Sequence, residues 1–393
     1  MGFRRLWGGL AMSGTYIGLR LGARTRLALL ATFVLGALQL LSAAPVSAGE
    51  GDNQGFIQTN LVSNLPGAQH QDLHLKNPWG IVHSPTSPWW VSDNNGNVST
   101  LYDGNGNAIP LVVAIPAPDG TLTGAPTGIV FNGNPNDFKV TDGTKPAASS
   151  LFIFATEDGT IAGWSPAVNR NRAFIAVDKS QIPNATNGAV YKGLAVAQTS
   201  TGQRLYASNF RAGTVDVFDG RFTPVVMKDA FKDRRIPAGY APFGIQAIGA
   251  NIYVTYAVQN DVKHDDLAGA HRGFVDVFST DGKLLKRLVR RGALNSPWGL
   301  ALAPAGFGDM GGDLLVGNFG DGRINAYNIT TGELDGTITD TNDKPIVIDG
   351  LWGIAFGNGA NAGPTGTLFF AAGINHEADG LFGTLVPAPP GND

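Results

Sequence analysis

The chain has 393 residues with 28 basic and 31 acidic side chains and no cysteine, so disulfides, zinc–thiolate centres and a cysteine nucleophile are excluded. Its slightly acidic balance also argues against a nucleic-acid partner, which requires a basic stripe to displace phosphate counterions.

The first element is a leader. Arg24 and Arg26 precede an apolar run of fifteen residues, Leu27 to Leu41, and Pro45-Val46-Ser47-Ala48 supplies the small residues of a cleavage site. A spanning helix needs roughly 20 apolar residues, whereas this run is shorter, contains Gln39 and leads into a polar segment. Residues 1–48 are therefore expected to be a signal peptide cleaved after Ala48, leaving a secreted or periplasmic protein without a membrane span. Removing 48 of 393 residues leaves 345, with 23 basic against 31 acidic side chains and a net charge of −8.

Next comes Phe56-Ile57-Gln58-Thr59-Asn60-Leu61-Val62, which has strand character but stands ahead of any repeat. The repeats then begin. Asn77-Pro78-Trp79-Gly80-Ile81-Val82 and Ser296-Pro297-Trp298-Gly299-Leu300-Ala301 are near copies. Weaker versions are Ala125-Pro126-Thr127-Gly128-Ile129-Val130, Tyr191-Lys192-Gly193-Leu194-Ala195-Val196, Ala241-Pro242-Phe243-Gly244-Ile245-Gln246 and Gly350-Leu351-Trp352-Gly353-Ile354-Ala355. The six anchor glycines are 48, 65, 51, 55 and 54 residues apart, a period that fits one four-stranded sheet per gap.

After each anchor comes a second strand, as in Trp89 to Ser92 or Ile252 to Tyr256. A third follows with two-residue alternation, as in Thr214-Val215-Asp216-Val217-Phe218 and Gly273-Phe274-Val275-Asp276-Val277-Phe278. No sustained helical periodicity appears beyond the leader. Six sheets too short to bury their own faces are stable only when stacked on one another, and radial stacking predicts an all-β, six-bladed β-propeller over residues 49–386. A β-sandwich would not explain the recurrent Pro-aromatic-Gly anchor. The last repeat shows only three strands, ending with Leu381 to Val386, so Phe56 to Val62 is expected to close the ring by pairing with it and removing two edges. Residues 387–393, rich in proline, are expected to be a disordered tail.

The Pro-Trp-Gly anchors, together with the Asp-Gly and Asn-Gly turns, resemble NHL-repeat propellers and more distantly gluconolactonase-like six-bladed propellers, over Gln58 to Val386. Asn60-Leu61-Val62-Ser63 and Leu75-Lys76-Asn77-Pro78-Trp79-Gly80 resemble an uncharacterised family of exported bacterial propeller proteins that also has a giant-virus member. The resemblance implies the fold and no activity. Gluconolactonase-like enzymes hold a divalent cation with carboxylate and amide side chains from several blades, parts that Glu157, Asn209 and Asn318 would take here for Ca2+ or Mg2+. The sequence blocks flanking those ligands are not matched.

Strand parity places the start of each first strand and the turn between second and third strands on one face, the channel mouth. The residues expected to bind a ligand there are Asp93, Asn94, Glu157, Asn209, Tyr256, Asn318, Asn375 and His376. Asn209 and Asn318 each end a second strand before a Phe, a position suited either to a convergent polar or metal-facing role or to a blade-capping hydrogen bond. Trp79, Phe243, Trp298 and Trp352 either rim the mouth or wedge between blades. The charged insertion Gln259 to Arg272, with His264 and His271, is expected on the surface and solvated. His376 stands beside Glu377, a pairing with the elements of acid/base chemistry.

No nucleophile elbow, metalloprotease helix, phosphate loop or EF-hand is present. The expected function is a binding or scaffold module for an extracytoplasmic glycan, small molecule or protein. The alternative is a divalent-metal-dependent hydrolase or lactonase working at the channel mouth.

Overall fold

A computed structural model describes residues 55–389. The expected signal peptide, residues 1–48, and residues 390–393 of the expected tail lie outside them. Short β-branched and aromatic runs broken by Gly, Asn and Asp turns fold into six antiparallel blade sheets met in chain order, with a further two-stranded sheet, Lys139–Val140 with Ala148–Ser149, inserted in the second. The architecture is a six-bladed β-propeller. Blade 1 comprises Pro78–Val82, Trp89–Asp93, Val98–Tyr102 and Val113–Ala114. Blade 2 comprises Pro126–Phe131, Phe152–Thr156, Thr160–Trp164 and Phe174–Asp178. Blade 3 has Tyr191–Thr199, Gly202–Asn209 and Thr214–Asp219.

Blade 4 follows with Tyr240–Ile248, Asn251–Val258, Phe274–Ser279 and Leu284–Arg290. Blade 5 comprises Pro297–Leu302, Leu314–Asn318, Ile324–Tyr327 and Leu334–Thr337. Blade 6 takes Leu351–Phe356, Leu368–Ala372 and Leu381–Pro387 from the end of the chain, and Phe56–Ser63 from its beginning. That closing strand runs antiparallel to the last, from Phe56 opposite Pro387 to Ser63 opposite Leu381. Among the described residues no helix is long and apolar enough to cross a membrane.

The repeated glycine has one physical cause. A Cβ on Gly80 would lie 2.6 Å from the Thr127 carbonyl oxygen, one on Gly244 2.0 Å from that of Trp298, one on Gly299 2.5 Å from that of Trp352, and one on Gly353 2.5 Å from that of Trp79. Each anchor therefore abuts the backbone of the next blade, and the sixth abuts the first. Close approach, not positive φ, excludes a side chain. Farther from the axis, side chains of neighbouring blades interleave; Trp90 of blade 1 stacks on Phe152 of blade 2 with centroids 4.1 Å apart.

Two details depart from expectation. Blade 3 has three strands instead of four. After Asp219 the chain turns through Phe222 at φ 61° and reaches Pro224, which has no N–H to extend a ladder. The fourth strand is reduced to an isolated bridge, Phe218 to Pro224, and a bond from the Val225 N–H to the Val217 carbonyl. The last strand of blade 6 runs one residue beyond the expected Val386, since Pro387 still pairs with Phe56 and the Ala388 N–H donates to the Gly55 carbonyl.

Candidate functional site at the channel mouth

The residue before each anchor glycine occupies one ring around the axis: Trp79, Thr127, Lys192, Phe243, Trp298 and Trp352. Trp79 and Trp352 line the mouth cavity, one of the two expected placements, and Phe243 and Trp298 do not; all four belong to one cluster. They are buried against one another as a plug, joined by Phe210 and Ala241. Phe319, Trp352 and Trp79 form a column, with ring centroids 4.0 Å and then 3.5 Å apart. Trp298 meets both indoles edge-on at 6.0 and 5.6 Å, the geometry that ring quadrupoles favour. Two indole N–H groups are satisfied, Trp298 by the Lys192 carbonyl at 2.9 Å and Trp352 by the Asn77 Oδ1 at 3.2 Å.

Lys192 breaks the aromatic ring of residues, and its side chain is only 2% exposed. Its Nζ donates to Glu157 Oε1 from blade 2 and to Asp265 Oδ1, 3.2 Å away, in the insertion of blade 4. It also lies 5.1 Å over the Trp79 ring, a cation–π contact that continues the column. Burial alone would lower the Lys192 ammonium, but the charges and hydrogen bonds of Glu157 and Asp265 outweigh it and raise its pKa above the ordinary value. Asp265 is held well below the usual carboxylate range by the hydrogen bond of His264 and, against partial burial, by the Lys192 charge.

Above the plug is a cavity of about 220 Å3 at the mouth, lined by Asn94, Asn95, Glu157, Lys192, Asp265, Asp266, His264, His376 and Glu377. Glu377 reaches it from a turn in which Asn375, His376 and Glu377 take φ of 57°, 56° and 66° in succession. Left-handed backbone costs a non-glycine residue roughly 1–2 kcal/mol, so something must hold it. The Glu377 N–H donates to the Gly373 carbonyl at 3.1 Å, the Asn375 N–H to Asp349 Oδ2 at 2.9 Å, and Asn95 Nδ2 to the Glu377 carbonyl at 2.7 Å. Burial, and further the Glu157 charge, raise the pKa of Glu377, against the hydrogen bond it accepts from Asn77 Nδ2 at 3.1 Å.

Of the expected site residues, Asn94, Glu157 and His376 line this cavity, with Asn94 Nδ2 donating to Glu157 Oε2 at 2.9 Å. The others are placed elsewhere. Asn209 caps its own turn: its Oδ1 accepts from the Ala212 N–H at 3.2 Å and its Nδ2 donates to Asp216 Oδ2 at 3.2 Å. Asn318 Nδ2 donates to the Ala293 carbonyl at 2.8 Å and to Asp321 Oδ1 at 3.1 Å. Asn209 is thus held partly by the backbone of its own turn, and Asn318 Nδ2 by the preceding interblade connection and the Asp321 side chain. Tyr256 is buried in the packing around blades 3 and 4. Asp93 is fully buried behind the mouth, with Oδ2 accepting from the Thr100 N–H at 3.0 Å. Asn375 is exposed and props the strained turn through Asp379.

The insertion 259–272 is a second correction. It folds over the mouth, because Asp265 follows Lys192 and because Gln259 Nε2 donates to the Phe210 and Arg211 carbonyls. His264 is partly buried there instead of fully solvated.

The divalent cation implied by the resemblance does not find its expected ligands together: Glu157 lines the mouth cavity, whereas Asn209 and Asn318 do not, and Asn209 Oδ1 already accepts from the Ala212 N–H. What the fold assembles instead is Glu157, His264 and Asp265, each offering an atom within 4.8 Å of the others. The Lys192 ammonium already contacts two of those three.

No family model matches the chain. The "Uncharacterized protein R648" of Acanthamoeba polyphaga mimivirus is 33% identical over 332 residues, which are 83% of this chain and 78% of that protein. The "Uncharacterized protein L690" of the same virus is 33% identical over 325 residues, 81% of this chain and 82% of that protein. Among solved structures, a glucose dehydrogenase superimposes with a TM-score of 0.50 at 10% identity, over 85% of this chain and 100% of that one; this likeness is one of fold alone. A virginiamycin B lyase from Staphylococcus aureus gives 0.48 at 16% identity, over 84% and 98% of the two chains.

Proposed function

The chain belongs to the same family as these two mimivirus proteins, and we propose that it is an exported binding module that takes an extracytoplasmic small molecule, glycan or protein segment at the channel mouth. One observation carries this reading: charged and amide side chains from five blades converge on a cavity whose floor is sealed by the aromatic plug. A ligand can enter from one side and cannot pass through, which is the arrangement of a receptor pocket. The chemistry on offer is recognition chemistry. Among the described residues no hydroxyl hydrogen-bonds a histidine, and Lys192 keeps its proton, so neither supplies an activated nucleophile.

The test is a thermal-shift screen of wall fragments, oligosaccharides and small polar metabolites. Compounds that stabilise the wild type should lose their effect in His376→Ala and Glu377→Gln and keep it in Asn209→Ala. Hits indifferent to the mouth variants would contradict the reading. Export is tested separately, by sequencing the amino terminus of secreted protein; a start at Gly49 is expected.

The alternative of a divalent-metal-dependent hydrolase or lactonase has one observation in its favour, the proximity of Glu157, His264 and Asp265. Elemental analysis after equilibration with Ca2+ or Mg2+ discriminates: one bound ion per chain favours this alternative.

A further inference from the structure

We infer that the Lys192 ammonium is a tethered cation that holds the place of a divalent metal at the mouth, so that the protein's own side chain performs the charge balancing an ion would otherwise perform. The inference rests on three independent features. The first is positional. Four of the six ring positions carry an aromatic residue and one a threonine, whereas blade 3 alone carries a charge, and it is buried. A buried ammonium is costly to place unless it is paired and hydrogen-bonded.

The second is geometric. Oxygens of Glu157 and Asp265, with a ring nitrogen of His264, form the metal-capable group, and Lys192 Nζ bonds to both carboxylates. A calcium or magnesium ion would have to lie roughly 2.0–2.6 Å from oxygens of these same two carboxylates. Ion and ammonium therefore compete for one position. An ammonium, with three donors and no demand for six or more ligands, is satisfied by fewer oxygens than the ion needs.

The third is the way the lysine is fixed. Its carbonyl accepts from the Trp298 indole at 2.9 Å, and its Nζ sits over the Trp79 ring at 5.1 Å. Lys192 thereby links blades 1, 2 and 5 and the blade 4 insertion at the axis. An aromatic face beneath the cation suits a monovalent ammonium, whereas a divalent ion would gain more from oxygen.

This inference concerns the cation site and does not depend on which ligand the mouth takes, so its test uses metal ions alone. Isothermal titration with CaCl2 and with MnCl2 should show no stoichiometric binding by the wild type. Lys192→Met should gain one site per chain, and Lys192→Met/Glu157→Gln should lose it again. If the wild type binds one ion and Glu157→Gln or Asp265→Asn removes it, the inference is overturned. It is overturned equally if a folded Lys192→Met binds none. Should Lys192→Met fail to fold, the triple variant Lys192→Met/Glu157→Gln/Asp265→Asn, which removes the stranded carboxylates with their counterion, is expected to fold. A triple variant as unfolded as the single one would show that Lys192 acts through packing and would also overturn the inference.

Discussion

The indole of Trp79 stacks on that of Trp352 with centroids 3.5 Å apart and planes 16° from parallel, although the two residues stand in the first and last blades. The contact is possible only in a closed ring, and the closure itself lies at the rim, where Phe56–Ser63 completes blade 6. Deleting residues 56–62 leaves the last strand an unpaired edge and opens the ring. The melting temperature should fall by at least ~5 °C, since each kcal/mol shifts a ring of this size by about 1–2 °C. An unchanged melting temperature would show that the ring closes some other way.

Gly80→Val and Gly299→Val should each impair folding. The new Cβ would fall 2.6 Å and 2.5 Å from a backbone oxygen of the next blade, and a backbone cannot yield as a flexible side chain can. Overpacking usually costs about 1–3 kcal/mol, and the upper end or more is expected here. Soluble yield and urea unfolding measure it; wild-type stability in both variants would contradict the close-approach account.

Asn209→Ala and Asn318→Ala should each cost about 1 kcal/mol, the first from a lost turn-capping bond and the second from a lost bond to the Ala293 carbonyl. Because the two amides share no partner, the double variant should be additive. Chemical denaturation of the two single variants and the double variant checks both statements. A non-additive effect on any ion or ligand at the mouth would restore them to a shared site.

These asparagines illustrate what the sequence conveys and what it withholds. The anchor glycines were legible because contact with the next blade is a demand made anew in every repeat, and it leaves a periodic mark. Strand parity correctly gave the face on which Asn94, Glu157 and His376 lie. It says nothing of which way an amide turns: Asn209 caps its own turn, and Asn318 Nδ2 reaches the Ala293 carbonyl. Lys192 was missed although its signal was in plain view, a charge where other repeats put Trp, Phe or Thr. The partnership with Asp265 left no such mark, because it joins residues 73 apart through an insertion that has no counterpart in the other blades.

Stability should depend on pH through Asp276. This side chain is buried in the third strand of blade 4, and burial, reinforced by the Asp233 charge and opposed by Arg287, pushes its pKa up to about 7. The folded protein therefore binds this proton more tightly than the unfolded chain, whose carboxyl titrates near 3.9. Its contribution to stability is complete below about pH 4, declines as pH rises and is gone above about pH 7. Asp276→Asn should flatten that decline and be on the order of 2 kcal/mol more stable than the wild type at pH 8. Parallel stability curves between pH 4 and 8 for the two proteins would contradict the assignment.

The claim that the mouth is the binding site is tested most directly by soaking crystals of residues 49–393 with a library of small polar fragments and recording where they bind. The account predicts density above the Trp79–Trp352 plug, bounded by Glu157, Lys192 and Asp265 on one side and His376 and Glu377 on the other. Fragments gathered instead in the apolar depression formed by Ile81, Val130, Phe131 and Val196, with the mouth left empty, would contradict it.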